Sequence, residues 1–173
     1  MTSLRFGLIG ALIVSFALGA APAIAQQQVQ NLGTFKNWTA WKGTDANGEM
    51  CYISSQPQTT KPEGVKRSPI HFLVIHRKGL GTKNEVQTLI GYPFNTTNSN
   101  ASATIDGKTY PMVTEGEAAW LASSADEPGF VAALKAGSKL VVRGTSQRGT
   151  NTEDTYDLGG VTAAMTEIDK ACA

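Results

Sequence analysis

The sequence lacks the residue patterns that many enzymes and metal proteins carry. Its 173 residues include two cysteines and two histidines, with no CxxC pair, no HExxH or GxSxG motif and no glycine-rich phosphate loop. His71 and His76 lie in one β-prone run at an odd separation, so a regular strand places them on opposite faces. We therefore predict no catalytic residue, no cofactor and no metal site.

An excess of charge of either sign is also absent. The chain has 15 Lys and Arg against 14 Asp and Glu, and the basic residues form no blocks. Proteins that bind nucleic acids or anionic membranes usually carry a concentrated positive charge. The sequence therefore argues against both kinds of partner.

A hydrophobic run long enough to span a bilayer is missing as well. The apolar run from Phe6 to about Leu18 follows Arg5 and precedes small residues up to Ala25, which is the arrangement of a secretory signal peptide. The run is shorter than the roughly 20 residues that a membrane-spanning helix needs. We predict a signal peptide over residues 1–25, cleaved after about Ala25. The product is then periplasmic or secreted and has no transmembrane span.

The remaining chain has the length of one domain, which we place at residues 35–173 behind a flexible tail at 26–34. Its two cysteines, Cys51 and Cys172, would meet an oxidising compartment, where an even pair usually forms a disulfide. The alternative is a redox-active or nucleophilic thiol. That role calls for a CxxC motif or a histidine close by in the sequence, and neither cysteine has one.

The domain reads as a series of β-prone runs separated by turn residues. Asn47-Gly48 and Asp106-Gly107 each lie between two such runs, which is typical of a β-hairpin. Apolar stripes at helical spacing predict two helices, one around 127–135 and one over 161–172. We predict an all-β, antiparallel, β-sandwich-like fold with one or two short α-helices packed on the sheets. The predicted strands lie within residues 35–42, 49–54, 70–77, 85–92 and 101–114, and the proline-rich residues 55–69 are predicted to form a loop.

The segment RGTSQRGTNTEDTYDLGG, residues 143–160, concentrates charged and hydroxyl side chains between two apolar strand ends. A turn with an odd number of residues keeps the apolar side chains of both strands on one face. We predict a three-residue turn at 149–151. This register pairs Val142 with Leu158 and Gly144 with Tyr156.

The same register turns Asp154 toward the interior, where a carboxylate needs a partner. Arg148, near the turn, is the predicted partner. Arg148 and Asp154 are thus a candidate buried polar pair.

Aromatic residues cluster in the first hairpin. Trp38 and Trp41 are an odd number of positions apart, so a regular strand places them on opposite faces. Large aromatic side chains usually fill the core of a small domain. We expect one of the two tryptophans at the surface, where it is the first candidate for contact with a sugar ring or a partner's side chain.

Several segments of the chain resemble, in their order, the invasion-associated locus B family of exported bacterial proteins. They are NWTAWK with the following Cys51, IGYPF, TEGEAAWL, ALKAGSKLVV and VVRGTSQRGTNTEDTYDLGGVTAAMTEIDKAC. The resemblance covers essentially the whole chain after the signal peptide. It implies a periplasmic or secreted all-β domain with paired cysteines, matched here by Cys51 and Cys172. For some members it implies a role in entry into host cells, and it brings no catalytic residues.

Three hypotheses about function follow. The first is a non-enzymatic protein that binds an unknown envelope or host-surface protein, with Trp38 or Trp41 as the contact. The second is a hydrolase or small-ligand protein in which Asp154 and Arg148 converge with His71 or His76. The third is a structural factor that stabilises the cell envelope.

Overall fold

The computed structural model describes residues 29–173 of the chain, and the predicted signal peptide lies outside them. The described residues form eleven β-strands, two α-helices and two short 3-10 turns, at Lys78–Leu80 and Ser124–Asp126. The strands are β1 (Gln30–Phe35), β2 (Trp38–Asp45), β3 (Gly48–Ser55), β4 (Thr59–Lys61), β5 (His71–Arg77), β6 (Thr82–Leu89), β7 (Ser102–Ile105), β8 (Lys108–Glu115), β9 (Ala118–Leu121), β10 (Lys139–Thr145) and β11 (Asn151–Asp157). The helices are α1 (Glu127–Ala136) and α2 (Val161–Ala171).

The strands form one continuous antiparallel sheet in the order β1-β2-β3-β5-β6-β9-β8-β7-β10-β11-β4. The sheet curls over itself, so that its two ends share one core. The indole Nε1 of Trp38 on β2 donates to the carbonyl oxygen of Asp157 at the end of β11, at 2.9 Å. The ring of Tyr156 on β11 lies 5.8 Å from that of Phe72 on β5. The predicted antiparallel, sandwich-like fold is confirmed.

An aromatic cluster occupies the centre of this core. The ring centroid of Phe72 lies 6.4 Å from that of Trp38 and 6.0 Å from that of Phe130 on α1. Tyr110 on β8 packs edge-on against Phe130 at 4.8 Å. Edge-on and offset contacts of this kind are favoured by the ring quadrupoles and add to the gain from burying the rings.

The two helices have the buried faces that the sequence predicts. Phe130 in α1 is buried with its helical neighbours on the same stripe, and Pro128 lies in the first turn. In α2 the predicted stripe is buried, and the helix packs on β1, β2 and β3. Gly160, which caps the start of α2, has φ +102, and a Cβ there would lie 2.0 Å from the carbonyl oxygen of Phe35, so the position requires glycine.

The end of α2 is attached to the sheet by two side-chain links. Cys51 and Cys172 form the predicted disulfide, with their Cα atoms 5.9 Å apart. His76, the cross-strand neighbour of Cys51, has its Nε2 2.9 Å from Oδ1 of Asp169 on α2. The backbone N–H of Asn84 donates to Nδ1 of His76, so Nε2 is the nitrogen that donates to Asp169.

Two edge strands lie where the sequence indicated irregular chain. The prediction of a flexible tail at 26–34 is wrong from residue 30 onward, because β1 pairs with β2. The prediction of a loop at 55–69 misses β4, which pairs with β11. Both strands lie at the ends of the sheet and are largely polar. Their pairing therefore leaves no alternating hydrophobic pattern in the sequence.

The last hairpin has the predicted odd-length turn at a different place. The register pairs Val142 with Asp154 and Gly144 with Thr152 rather than with Leu158 and Tyr156. The backbone N–H of Ser146 donates to the carbonyl oxygen of Thr150 at 2.9 Å and closes a turn over residues 147–149. The shift is by an even number of residues, so the inward-facing side chains stay inward. The cause is tertiary, because Phe94 and Tyr92 cover Gly144 in place of Tyr156.

Candidate functional site

Asp154 faces the interior as predicted, but its partner is Arg67. The side chains of Asp154 and Arg67 are 0% and 5% exposed. Both terminal nitrogens of Arg67 donate to the carboxylate, and Nη1 makes a 3.0 Å bond to Oδ2 and a 3.3 Å bond to the carbonyl oxygen of Ile90. Burial raises the pKa of the Asp154 carboxyl, and the Arg67 guanidinium opposes that rise.

This ion pair lies beneath a cleft of about 470 Å³ between the 65–68 segment, the 91–93 segment and the turn of the last hairpin. Arg67 lies 5.7 Å from the centre of the Tyr92 ring, and the Tyr92 hydroxyl is 2.6 Å from Oγ1 of Thr152. Burial raises the pKa of the Tyr92 phenol. The charged residues that line the cleft are Lys66, Arg67, Glu117 and Arg148.

Close backbone packing builds the cleft. Gly91 has φ +78, and a Cβ there would lie 2.3 Å from the carbonyl oxygen of Ser68. The backbone N–H of Ser68 in turn donates to the carbonyl oxygen of Gly91 at 3.0 Å. Glycine at this position lets the 65–68 segment lie against β11 and brings Arg67 over Asp154.

The predicted pair of Arg148 and Asp154 is therefore wrong. Arg148 lies at the tip of the turn, in the wall of the cleft, because the turn is centred on it. Sequence reasoning missed Arg67 because it lies in the proline-rich segment, which has no periodic pattern. The sequence does indicate that a buried Asp154 needs a cation nearby. It does not identify the residue that supplies the positive charge.

The residues of the hydrolase hypothesis do not converge. Arg67 bonds to both oxygens of Asp154, His76 is linked to Asp169 beneath α2, and His71 lines a groove on the outer face of the sheet. A general base needs a free acceptor within hydrogen-bond reach of a substrate. The Asp154 side chain is 0% exposed, and each of its oxygens already accepts a hydrogen bond from Arg67.

The two tryptophans of the first hairpin lie on opposite faces, as predicted. Trp38 is completely buried and so cannot contact a partner. Trp41 is half-buried on the outer face, where its ring stacks on that of Tyr52 at 6.3 Å. Its Nε1 donates to Oγ of Ser54 at 2.9 Å. Of the two candidate contact residues, Trp41 is the accessible one.

Trp41 lines a shallow groove of about 360 Å³ at the end of β2 and β3. We call this the Trp41 groove. The residues around it carry amide, hydroxyl and imidazole groups, and none is an Asp, Glu, Lys or Arg. They include Asn37, Ser54, Gln56, Gln58 and His71.

Further apolar side chains continue across the outer face of the sheet. Leu73 on β5 and Trp120 on β9 are half-buried, and Val113 on β8 is 53% exposed. The register aligns them in one row, because Leu73 pairs with Gln87, Gln87 with Trp120 and Trp120 with Val113. We call Trp41, Tyr52 and this row the outer apolar face.

Two further properties bear on partners. In the described part of the chain, no group of three or more His, Cys, Asp and Glu side chains is arranged so that it could hold a metal ion. Neither of the α-helices within residues 29–173 has the length and apolar character needed to cross a membrane.

Comparison with known proteins gives one match. The family model described as invasion associated locus B (IalB) protein matches residues 38–169, which include every residue that lines the cleft and all of the Trp41 groove except Asn37. No curated protein and no solved structure matches the chain.

Proposed function

Because the chain belongs to the invasion associated locus B family, we propose that it is an exported, non-enzymatic binding protein. It acts in the periplasm or outside the cell and contacts a protein or cell surface at the bacterial envelope or on a host. When the surface bound belongs to a host cell, this binding assists invasion of that cell. The contact surface is the outer apolar face, which begins with Trp41 on β2 and extends to Val113 on β8.

The observation that carries this proposal is the set of half-buried aromatic and aliphatic side chains on the outside of the sheet. Large apolar side chains grouped on the outside of a soluble protein often mark a contact with a partner. Trp41 and Trp120 offer the large, rigid contact area that is enriched at binding hot spots. On the opposite face of the sheet the aromatic side chains are buried in the core.

Export is supported by two independent features. The sequence of residues 1–25 has the three parts of a signal peptide, ending at about Ala25. The disulfide between Cys51 and Cys172 is typical of proteins that fold outside the reducing cytoplasm.

The non-enzymatic character is supported by the bonds that the candidate catalytic side chains make within the protein. Asp154 and His76, the most buried of the titratable groups considered for catalysis, are both bonded to structural partners. The cleft above Arg67 holds charged side chains but no histidine or cysteine among the residues that line it. A binding role needs no such reactive group.

Retention of the protein on envelope fractions and host-cell membranes tests the proposal. We expect the purified protein to be retained on at least one of them and Trp41→Ala to lose at least tenfold in affinity. Arg143→Ala, an exposed change on β10 outside the Trp41 groove, is the control and should bind normally. Absence of retention on every fraction, or equal retention of the Trp41 variant, would refute the proposed surface.

A further inference from the structure

We propose that the Trp41 groove binds a pyranose ring of a neutral glycan, with the ring lying on the indole of Trp41. This inference rests on the proposed function and names the ligand chemistry of the same surface. A pyranose presents an apolar face of C–H groups and a rim of hydroxyls that both donate and accept hydrogen bonds. The groove supplies an aromatic surface for the apolar face and hydrogen-bonding groups for the hydroxyls.

The aromatic part of the groove is held in place before any ligand arrives. Trp41 is fixed at one edge by its hydrogen bond to Ser54 and along its face by the stack on Tyr52. A side chain that is already ordered loses little conformational entropy on binding. The half-buried indole is therefore a rigid platform for an apolar ring face.

The polar rim has unused hydrogen-bonding capacity. The side-chain amides of Asn37 and Gln56 and the imidazole of His71 make no hydrogen bonds within residues 29–173. An amide offers two donors and an acceptor, and a neutral imidazole offers one of each. Hydroxyl groups, which act in both roles, match this mixture better than a ligand with donors or acceptors alone.

The distribution of charge favours a neutral ligand. No Asp, Glu, Lys or Arg lines the Trp41 groove, whereas the cleft beside the last hairpin is lined by four charged residues. An anionic glycan or a charged peptide would lose hydration in the groove without gaining an opposite charge.

The topology argues against an extended peptide as the occupant. β2 pairs with β1 and β3, and β3 pairs with β2 and β5. The part of the groove formed by Thr39, Trp41 and Ser54 therefore lies on the face of the sheet and not at an open edge. A peptide bound there would form no main-chain ladder, which is the usual source of affinity when a strand is added to a sheet.

Nuclear magnetic resonance of the purified exported protein provides the test. The indole N–H groups of Trp38 and Trp41 report separately on the buried and the half-buried ring. The probes are two neutral oligosaccharides, a β-1,4-linked N-acetylglucosamine tetramer with the chemistry of a bacterial wall glycan, and lacto-N-neotetraose with that of a host surface glycan. We expect at least one probe, titrated to about 10 mM, to shift the Trp41 signal and leave that of Trp38 in place.

Variants of the groove sharpen the result. Trp41→Ala should weaken binding of the probe at least tenfold, and Trp41→Phe, which keeps an aromatic face, should weaken it less. Gln56→Ala, an exposed change that leaves the fold intact, should weaken it severalfold. Gln147→Ala removes the same amide from the cleft and should leave binding unchanged.

The outcomes separate this inference from the proposed function. If neither probe moves the Trp41 signal while Trp41→Ala still reduces retention on membranes, the glycan assignment is wrong and the contact surface stands. If a probe binds and Gln147→Ala weakens it while Gln56→Ala does not, the ligand lies in the cleft and the assignment to the Trp41 groove is wrong. Binding of the N-acetylglucosamine tetramer or of lacto-N-neotetraose indicates the envelope or the host as the source of the glycan.

Discussion

Removal of the positive charge from the buried ion pair should be among the most damaging single changes to this protein. Arg67→Met keeps most of the length and volume of the side chain but leaves Asp154 with no cation. With the Asp154 side chain 0% exposed and that of Arg67 5% exposed, little solvent reaches Asp154 to replace the lost partner. Breaking one side of a buried ion pair costs about 3 to 5 kcal/mol. The burial of both side chains leads us to expect a loss in the upper half of that range.

The neighbouring residue provides a matched control. Glu153 precedes Asp154 on β11 and faces the opposite way, where its carboxylate pairs with Arg143 at 2.6 Å. The Arg143 and Glu153 side chains are 48% and 27% exposed. Solvated pairs contribute about 1 kcal/mol or less. Arg143→Met should therefore lower the free energy of unfolding far less than Arg67→Met, although both remove an arginine from an ion pair with the same strand.

Urea denaturation, followed by circular dichroism with the disulfide intact, measures both effects. A third variant, Arg67→Met with Asp154→Asn, removes the unpaired charge and should be more stable than Arg67→Met alone. This non-additivity is the expected sign of a coupled pair. The reasoning fails if Arg67→Met and Arg143→Met cost the same. It also fails if the double variant loses as much stability as Arg67→Met and Asp154→Asn, measured separately, lose together. The comparison requires that the variants have equal m-values, the slopes of the unfolding free energy against urea concentration.

Three further predictions concern the fold. Replacing Cys51 and Cys172 by alanine should lower the free energy of unfolding by about 5 kcal/mol, because the bridge closes a loop over a sequence separation of 121; a loss below about 1 kcal/mol in urea denaturation would contradict this. Gly91→Ala should lower the melting temperature markedly, because its Cβ would lie 2.3 Å from the carbonyl oxygen of Ser68; an unchanged value would show that the backbone relaxes freely there. The backbone N–H and the hydroxyl of Ser138, just before β10, donate hydrogen bonds that hold the pKa of the Asp106 carboxyl below its ordinary value of 3.8. The stability that this carboxylate provides is thus present above about pH 4 and is lost as the pH falls through the lowered pKa. The stability gap between the wild type and Asp106→Asn should accordingly close on acidification, and a constant gap would contradict the assignment.

Local patterns in the sequence predicted the elements that bury one regular face. The helix at Val161–Ala171 follows from the spacing of its apolar residues, and the hairpin around Asp106 follows from its turn residues. The edge strands β1 and β4 escaped prediction. They bury few side chains, and their existence depends on a partner strand that the local sequence does not specify.

The candidate site was likewise predictable only in part from the sequence. Alternation along a strand correctly placed Trp38 and Trp41 on opposite faces, but which face is inward depends on how the sheet curls over β11. The inward position of Asp154 also followed from alternation. Its partner did not, because Arg67 lies 87 positions away in a segment without periodicity. A single sequence thus predicts the requirement for a partner and leaves its identity to the tertiary fold.

The segment with the strongest resemblance to the family therefore explains the fold better than the function. In residues 143–160 several conspicuous polar groups have structural partners: Arg143 pairs with Glu153, Thr152 contacts Tyr92, and Asp154 is bonded to Arg67. Side chains so engaged are not free to bind a ligand without loss of stability. The half-buried ring of Trp41 and the unbonded amides of Asn37 and Gln56 lie elsewhere, around the Trp41 groove. If the protein binds at the Trp41 groove, ligand preference can change through a few exposed side chains there, while the ion pair, the last hairpin and the disulfide keep the same fold.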